Sequence, residues 1–349
     1  MRRIPHQFVW RYVMNVLRVH LWPRPGNPKL VPPLMPSVYL TRHCNFRCTY
    51  CNDGHGIKYP DMPEQNRLQL DQLKQVLRIL RKAAPAVNFT GGEPTMRRDL
   101  PEILRHASDL GFCPIVLNTN GYLLDQYVDS LRHLDVLVVS LDAMNDERGN
   151  ALIGIGKPVN DKVKRNILLA AEMKKARKLS YEIVVNSVIM PDTIPDARAV
   201  FTWAQEQGFY WTPMPHVIDY KPNPALVGNP EYTRLIDDVI QAKRNGARVY
   251  SNMEALRIIR DFQRFECYPT CRPVINPDGF LPYPCSLINE ASASILEHGS
   301  YEKTISALEG SGALPYCDSR CHVGCYTEPS TALTFPLAGL TEFIRWVCA

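Results

Sequence analysis

Residues 41–51 read TRHCNFRCTYC, which sets Cys44, Cys48 and Cys51 in the order C-x-x-x-C-x-x-C directly after a short apolar run at 37–40. Three thiolates on so short a loop can hold three irons of a cubane [4Fe–4S] cluster and leave the fourth iron open to a ligand from outside the protein. The same loop suits zinc if a fourth protein ligand exists, and His43 and His55 both lie close enough in sequence to supply it.

Outward from this loop the chain alternates between two hydrophobic periods. Runs at 37–40, 87–90, 115–118, 136–141, 181–189 and 209–212 read as strands. Stretches at 69–82, 99–110, 125–132, 161–178 and 195–207 read as helices. Six β-then-α units in series predict a parallel sheet with crossover helices, and ligand sites in such sheets collect where the strands end. The other distinctive fragments follow strand candidates. Gly91-Gly92-Glu93-Pro94 follows the second, Asn118-Thr119-Asn120-Gly121 ends the third and Ser140-Leu141-Asp142 ends the fourth, while Asn186 lies in the fifth. Paired glycines let a backbone approach a ligand closely. Taken singly, Glu93 reads as a solvated turn residue, and Ser140 and Asn186 as caps or buried hydrogen-bond partners.

CxxxCxxC, GGEP about forty residues later, TNG and SLD together resemble the radical S-adenosylmethionine (SAM) superfamily. The resemblance covers 36–215 and implies an α/β fold, a partial (β/α)6 TIM-like barrel with the cluster at its open mouth. It implies that Cys44, Cys48 and Cys51 bind a [4Fe–4S] cluster whose open iron chelates SAM, and that one electron splits SAM into methionine and a 5′-deoxyadenosyl radical. On the same basis Tyr50, Gly91, Gly92, Glu93, Pro94, Asn118, Ser140, Asp142 and Asn186 are expected to contact the cofactor.

Composition sets outer limits. The 349 residues carry a net charge of +5 with basic and acidic side chains interleaved, so nucleic acid is not an expected partner. Arg11, Asn15, Arg18 and His20 interrupt any signal-peptide core, and no apolar run reaches the roughly 20 residues that span a bilayer. A reducing cytoplasm is therefore expected, where clustered cysteines signal metal or catalysis. Residues 1–35 read as a helix at 5–21 followed by a proline-rich connector. Gln7, Arg11, Asn15 and Arg18 form one face of that helix, with Val9, Tyr12, Val13, Val16 and Leu17 away from it. The apolar side is expected to pack on the main domain; a helix lying in a membrane surface is the alternative.

Past residue 215 a connecting segment with a helix at 231–245 leads to a small cysteine-rich C-terminal extension at 248–349. It holds Cys267, Cys271 and Cys285, then Cys317, Cys321 and Cys325. The arrangement resembles the SPASM/twitch extensions of radical SAM enzymes and implies at least one auxiliary [4Fe–4S] cluster, with zinc as the competitor. It departs from the seven-cysteine SPASM pattern, because the last three stand as CxxxCxxxC and Cys348 is a distant seventh. Cys113 reads as a small buried hydrophobe. A last helix, beginning at Pro336, is expected to pack Leu337, Leu340, Ile344 and Val347 on the core or on the first helix.

The implied activity is hydrogen-atom abstraction from a small-molecule, sugar or lipid/isoprenoid substrate, with a flavodoxin or ferredoxin-type electron donor. Modification of a ribosomal peptide or activation of a protein is the alternative within the family. A non-catalytic iron–sulfur or zinc protein is the alternative outside it.

Overall fold

The computed structural model describes residues 6–24, 27, 29–51, 56–218, 221–311 and 321–348, with 343–348 described by their backbone alone. Helix α1 (His6–His20) precedes a regular alternation: β1 (Ser37–Tyr39), α2 (Leu70–Ala83), β2 (Val87–Thr90), α3 (Leu100–Asp109), β3 (Ile115–Thr119), β4 (Val136–Ser140), α4 (Asp146–Ile153), α5 (Asn160–Ala176), β5 (Glu182–Ile189), α6 (Ile194–Glu206) and β6 (Tyr210–Pro215). A two-residue hairpin, β7 (Val217–Ile218) with β8 (Lys221–Pro222), leads to α7 (Pro230–Arg244) and α8 (Met253–Asp261). The remainder comprises β9 (Val274–Ile275), the antiparallel pair β10 (Phe280–Tyr283) and β11 (Ala291–Ser294), and helices α9 (Ile295–His298), α10 (Tyr301–Gly310), α11 (Gly324–Thr334) and α12 (Pro336–Cys348).

Seven parallel strands form one sheet in the order β6-β5-β4-β3-β2-β1-β9, which is not closed into a full barrel. Strand side chains alternate between faces. One set, including Val87, Phe89, Ile115, Leu117, Leu137, Val139, Ile183 and Val185, packs with Leu73, Leu77, Leu80, Ile103, Leu104, Ile167 and Ala197 of the crossover helices in the main core. The opposite set lines the concave side. Toward the strand starts it is apolar, with Val116, Val136, Val138, Val184 and Tyr210 in one cluster beside Met35 and Tyr250. Toward the strand ends it turns polar, with Ser140, Asn186 and Thr212 in one row across β4, β5 and β6.

Several sequence expectations change. The helix expected at 125–132 is a pair of 3₁₀ turns, Leu124–Gln126 and Val128–His133. A 3₁₀ turn rises about 2.0 Å per residue against 1.5 Å for an α-helix, so the short link after the left-handed turn at Gly121 covers more distance that way. The seventh strand, β9, extends the β1 edge from the C-terminal extension and was not expected.

The third change is the rotation of α1. Its docked side carries Tyr12 and fully buried Asn15, with Val16 and Val19 packed beside them, while Trp10, Val13 and Met14 are exposed. The connector explains this, because Asn15 Nδ2 donates to the Pro32 carbonyl (2.9 Å) and Tyr12 Oη to the carbonyls of Ala332 (2.9 Å) and Pro336 (3.2 Å). Asn15 Nδ2 and Tyr12 Oη are thus buried with partners and escape the cost of unpaired desolvation, whereas Asn15 Oδ1 has no hydrogen-bond partner among the described residues. On α12, Gly339 faces Tyr12, and Leu337 and Leu340 are exposed rather than packed on the core.

Candidate active site

The 41–51 loop leaves the end of β1 and is clasped from two sides by backbone. On one side Gly92 N donates to Thr41 O and Glu93 N to His43 O, both at 2.8 Å. On the other, Arg47 N donates to Ile153 O (3.1 Å) and Thr49 N to Leu152 O (2.9 Å) at the end of α4. Side chains close the clasp. Lys58 Nζ donates to the Cys48 carbonyl (2.6 Å), Arg47 forms a two-bond pair with Asp61, and Glu64 accepts from Thr41 Oγ1 and from Arg42 N.

This packing explains the glycines. A Cβ on Gly91 would stand 2.4 Å from Thr41 O, one on Gly92 2.2 Å from His43 O, and one on left-handed Gly154 2.6 Å from Arg47 O. The close approach is therefore made by the cysteine loop itself, not only by a ligand. Glu93 is buried and braces the turn. Its Oε1 accepts from Thr95 N, Thr95 Oγ1 and Thr119 Oγ1, and its Oε2 from Asn120 N (2.7 Å). Burial raises its pKa against these bonds. Pro94, also buried, opens the 3₁₀ turn that follows.

Cys44, Cys48 and Cys51 are free and half-buried. Burial pushes the Cys44 thiol up to about 12 and Cys51 up to about 11, and raises Cys48 as well. Cys44 Sγ accepts from Phe46 N (3.4 Å) and Asn120 Nδ2 (3.9 Å). His43 turns to Glu64, Nε2 to Oε2 3.7 Å, and away from the role of fourth ligand; His55 lies outside the described residues. Tyr50 Oη donates to Asp142 Oδ2 (2.5 Å), tying the cluster loop to the end of β4, and Val188 N donates to Asp142 Oδ1 (2.8 Å). Burial lifts the Asp142 carboxyl to about 6.

Asn118 donates to Asn88 Oδ1 (2.5 Å) and so belongs partly to the sheet's own bonding. Ser140 and Asn186 sit side by side in the polar row and are partly exposed. Sequence reasoning missed Asn120, Thr212, Glu64, Lys58 and Arg97. Buried Arg97 pairs bidentately with Asp99 and donates to the carbonyls of Leu40 (3.0 Å) and Leu68 (3.2 Å), so it locks the glycine turn to the end of β1. Asn120 is the middle residue of the TNG fragment, which could have flagged it; nothing local marks the others.

Among the later cysteines, Cys267 and Cys321 belong to one buried cluster with Ile258, Phe265 and Tyr326, and Cys285 and Cys325 pack against it. Cys271 is placed elsewhere, with Tyr12, Val31, Tyr268 and Leu333. Cys317 and the side chain of Cys348 lie outside the described residues. Among the described residues no three His, Cys, Asp or Glu side chains converge on one point as a single metal ion needs. A four-iron cube is ligated at separate irons, so its thiolates need not converge in that way.

The family model described as "Radical SAM superfamily" matches residues 38–204. Residues 38–204 are a radical SAM domain. The GTP 3',8-cyclase of Aquifex aeolicus is 31% identical over 157 residues, 44% of this chain and 47% of that protein. The probable GTP 3',8-cyclase of Metallosphaera sedula is 31% identical over 175 residues, 49% of this chain and 51% of that protein. The chain thus spans about half the length of the curated relatives it matches. Streptococcus suis SuiB bound to S-adenosylmethionine superposes with a TM-score of 0.58 at 17% identity, covering 77% of this chain and 64% of that one. Native anSMEcpe with bound AdoMet superposes with a TM-score of 0.57 at 17% identity, covering 90% and 97%. These two likenesses concern the fold.

A radical SAM domain implies a [4Fe–4S] cluster and SAM, and the residues present fit both. Three soft thiols share one clasped loop, the neighbouring histidine is engaged elsewhere, and the polar row of Ser140 and Asn186 opens on the strand ends beside it. No described helix is long and apolar enough to cross a membrane.

Proposed function

We propose that this chain is a radical SAM enzyme that cleaves SAM reductively and abstracts a hydrogen atom from a small-molecule substrate in a biosynthetic or tailoring pathway. The observation that carries the reading is the loop of Cys44, Cys48 and Cys51, held between the Gly91–Gly92 turn and the end of α4 with no histidine turned toward it among the described residues. When bound there, a [4Fe–4S] cluster supplies an open iron for SAM and the electron that breaks its C–S bond.

The protein's own groups then have defined tasks. Tyr50, fixed by Asp142, positions the loop beside the adenine end of SAM. Ser140 and Asn186 offer a hydroxyl and an amide to the ribose or carboxylate, with Asn118 opposite Val138 in the row below them. Gly91 to Pro94 present backbone acceptors to the α-ammonium group, and Glu93 keeps that turn in shape. The valine-lined floor below excludes water from a reactive carbon radical and limits its reach, so positioning is much of the catalysis.

Relatives named as cyclases of a nucleotide favour a small molecule over a peptide as substrate. The exposed apolar residues of α1 favour a lipid or isoprenoid and a peripheral membrane contact there. Cys267, Cys285, Cys321 and Cys325 are the set best placed for an auxiliary cluster, and a flavodoxin or ferredoxin-type protein is the proposed electron donor. The test is anaerobic: reconstitute the clusters, add dithionite and SAM, and quantify iron and 5′-deoxyadenosine. Wild type should yield 5′-deoxyadenosine and Cys48→Ala none. A protein loaded with zinc, or one whose cluster spectrum SAM leaves unchanged, would overturn the reading.

A further inference from the structure

A cavity of about 250 Å³ lies at the opposite rim of the sheet from the cysteine loop. Its walls come from the strand starts (Pro114, Asp135, Val136), from the connector (Leu34, Met35) and from helices α1, α11 and α12. The lining is mainly apolar. Four charged side chains reach the wall, and three are engaged by the protein. Asp135 accepts from Ile115 N (2.8 Å), Glu328 from Asn252 N (3.0 Å) and Nδ2 (2.9 Å), and Glu342 from Lys243 (2.8 Å). The fourth, Arg272, donates from Nε to Ser37 Oγ (3.1 Å), and its two terminal nitrogens have no hydrogen-bond partner among the described residues.

A half-buried guanidinium with unused donors, in a mainly apolar wall whose three carboxylates already accept from the protein's own donors, has a definite complement. The apolar wall takes hydrocarbon, and the guanidinium takes a carboxylate or phosphate oxygen pair in the geometry it binds best. We propose that this cavity is a binding site for a single hydrocarbon chain bearing an anionic group, carboxylate or phosphate, held by Arg272. The helices that wall it support delivery from a lipid surface. Helix α1 contains no acidic residue and exposes Trp10 and Met14, with Leu21 and Trp22 exposed just beyond it, and α12 exposes Leu337 and Leu340. The site is distinct from the SAM rim, and its occupancy is read by binding alone, so it stands or falls separately from the proposed reaction.

The experiment is calorimetric titration of the iron-loaded full chain with octyl phosphate, decyl phosphate, decanoate and decanol, each below its aggregation concentration. The anionic chains should bind at least tenfold tighter than decanol, and affinity should rise about fourfold per added methylene until the cavity is full. Arg272→Met should erase the preference for the anions while leaving decanol binding in place. Ala332→Met, which fills the wall, should weaken all four ligands, with circular dichroism and iron content as checks on folding. A tighter phosphate than carboxylate series points to a phosphorylated chain and the reverse to a fatty acid; both support the site. Equal affinity for decanol and decanoate, unchanged anion binding in Arg272→Met, or no binding by any of the four overturns it.

Discussion

Gly92 lies so close beneath the carbonyl of His43 that a Cβ built on it would stand 2.2 Å from that oxygen. Both atoms belong to backbone held by hydrogen bonds, Gly92 N to Thr41 O and Glu93 N to His43 O, so neither side can yield as a flexible side chain would. Gly92→Ala must therefore push the cysteine loop off the turn. The expected outcome is a folded protein that after anaerobic reconstitution has lost up to about four irons per chain together with its SAM-responsive cluster signal, while any iron on the later cysteines stays. Gly310→Ala, at a glycine with nothing within 4 Å of its would-be Cβ, serves as control and should load normally. Normal iron content in Gly92→Ala would refute the clasp.

Arg97 and Asp99 make the second test. The guanidinium is buried and serves three separate stretches of chain, through Asp99 and the carbonyls of Leu40 and Leu68. Removing it leaves those carbonyls without a donor in the interior, so Arg97→Met should cost about 3 kcal/mol in urea denaturation. Arg97→Lys should recover little of this, because an ammonium cannot reproduce the planar fork. A loss below about 1 kcal/mol for either variant would show that the turn holds without it.

The strands were legible because buried parallel strands read as near-continuous β-branched runs, as in Val136–Ser140 and Glu182–Ile189. The cysteine loop and the Gly91–Gly92 pair were legible by identity and spacing, yet the reason for the glycines was not, since the oxygens they admit lie some fifty residues earlier. Asn15 reads as a polar-face residue on any helical wheel. What buries it is the Pro32 carbonyl, brought back by a connector whose path no periodicity predicts. The two-residue β9 carries no pattern of its own and becomes a strand only because β1 offers a free edge.

Cysteine substitutions separate the later thiols. Spacing alone gives Cys271 the same weight as Cys267, but the fold puts Cys271 beside Tyr12 and Leu333 and the other four around Tyr326. If the auxiliary cluster sits on those four, Cys285→Ala and Cys325→Ala should each lose up to about four irons per chain and leave the SAM-dependent cluster signal in place. Cys271→Ala should keep its full iron complement. Equal iron loss in Cys271→Ala and Cys285→Ala would refute this partition.

Glu328 gives a pH dependence with a definite sign. Burial raises its carboxyl to about 7, against the stabilising bonds from Asn252 and Ser251, well above the ordinary 4.5. Below 4.5 the group is protonated in both the folded and the unfolded chain and contributes no difference. Between 4.5 and 7 the folded chain keeps a proton that the unfolded chain has lost, so stability falls as pH rises through that window. Above 7 both states are ionised, and the penalty for holding a buried charge is constant. Glu328→Gln removes the titration while its amide oxygen can still accept from Asn252. The variant should therefore gain on wild type with rising pH, by about 2 kcal/mol between pH 5 and pH 8 in urea denaturation followed by circular dichroism. A stability gap that stays flat across that range would show that Glu328 keeps its ordinary acidity, and that the polar contacts around it outweigh its desolvation.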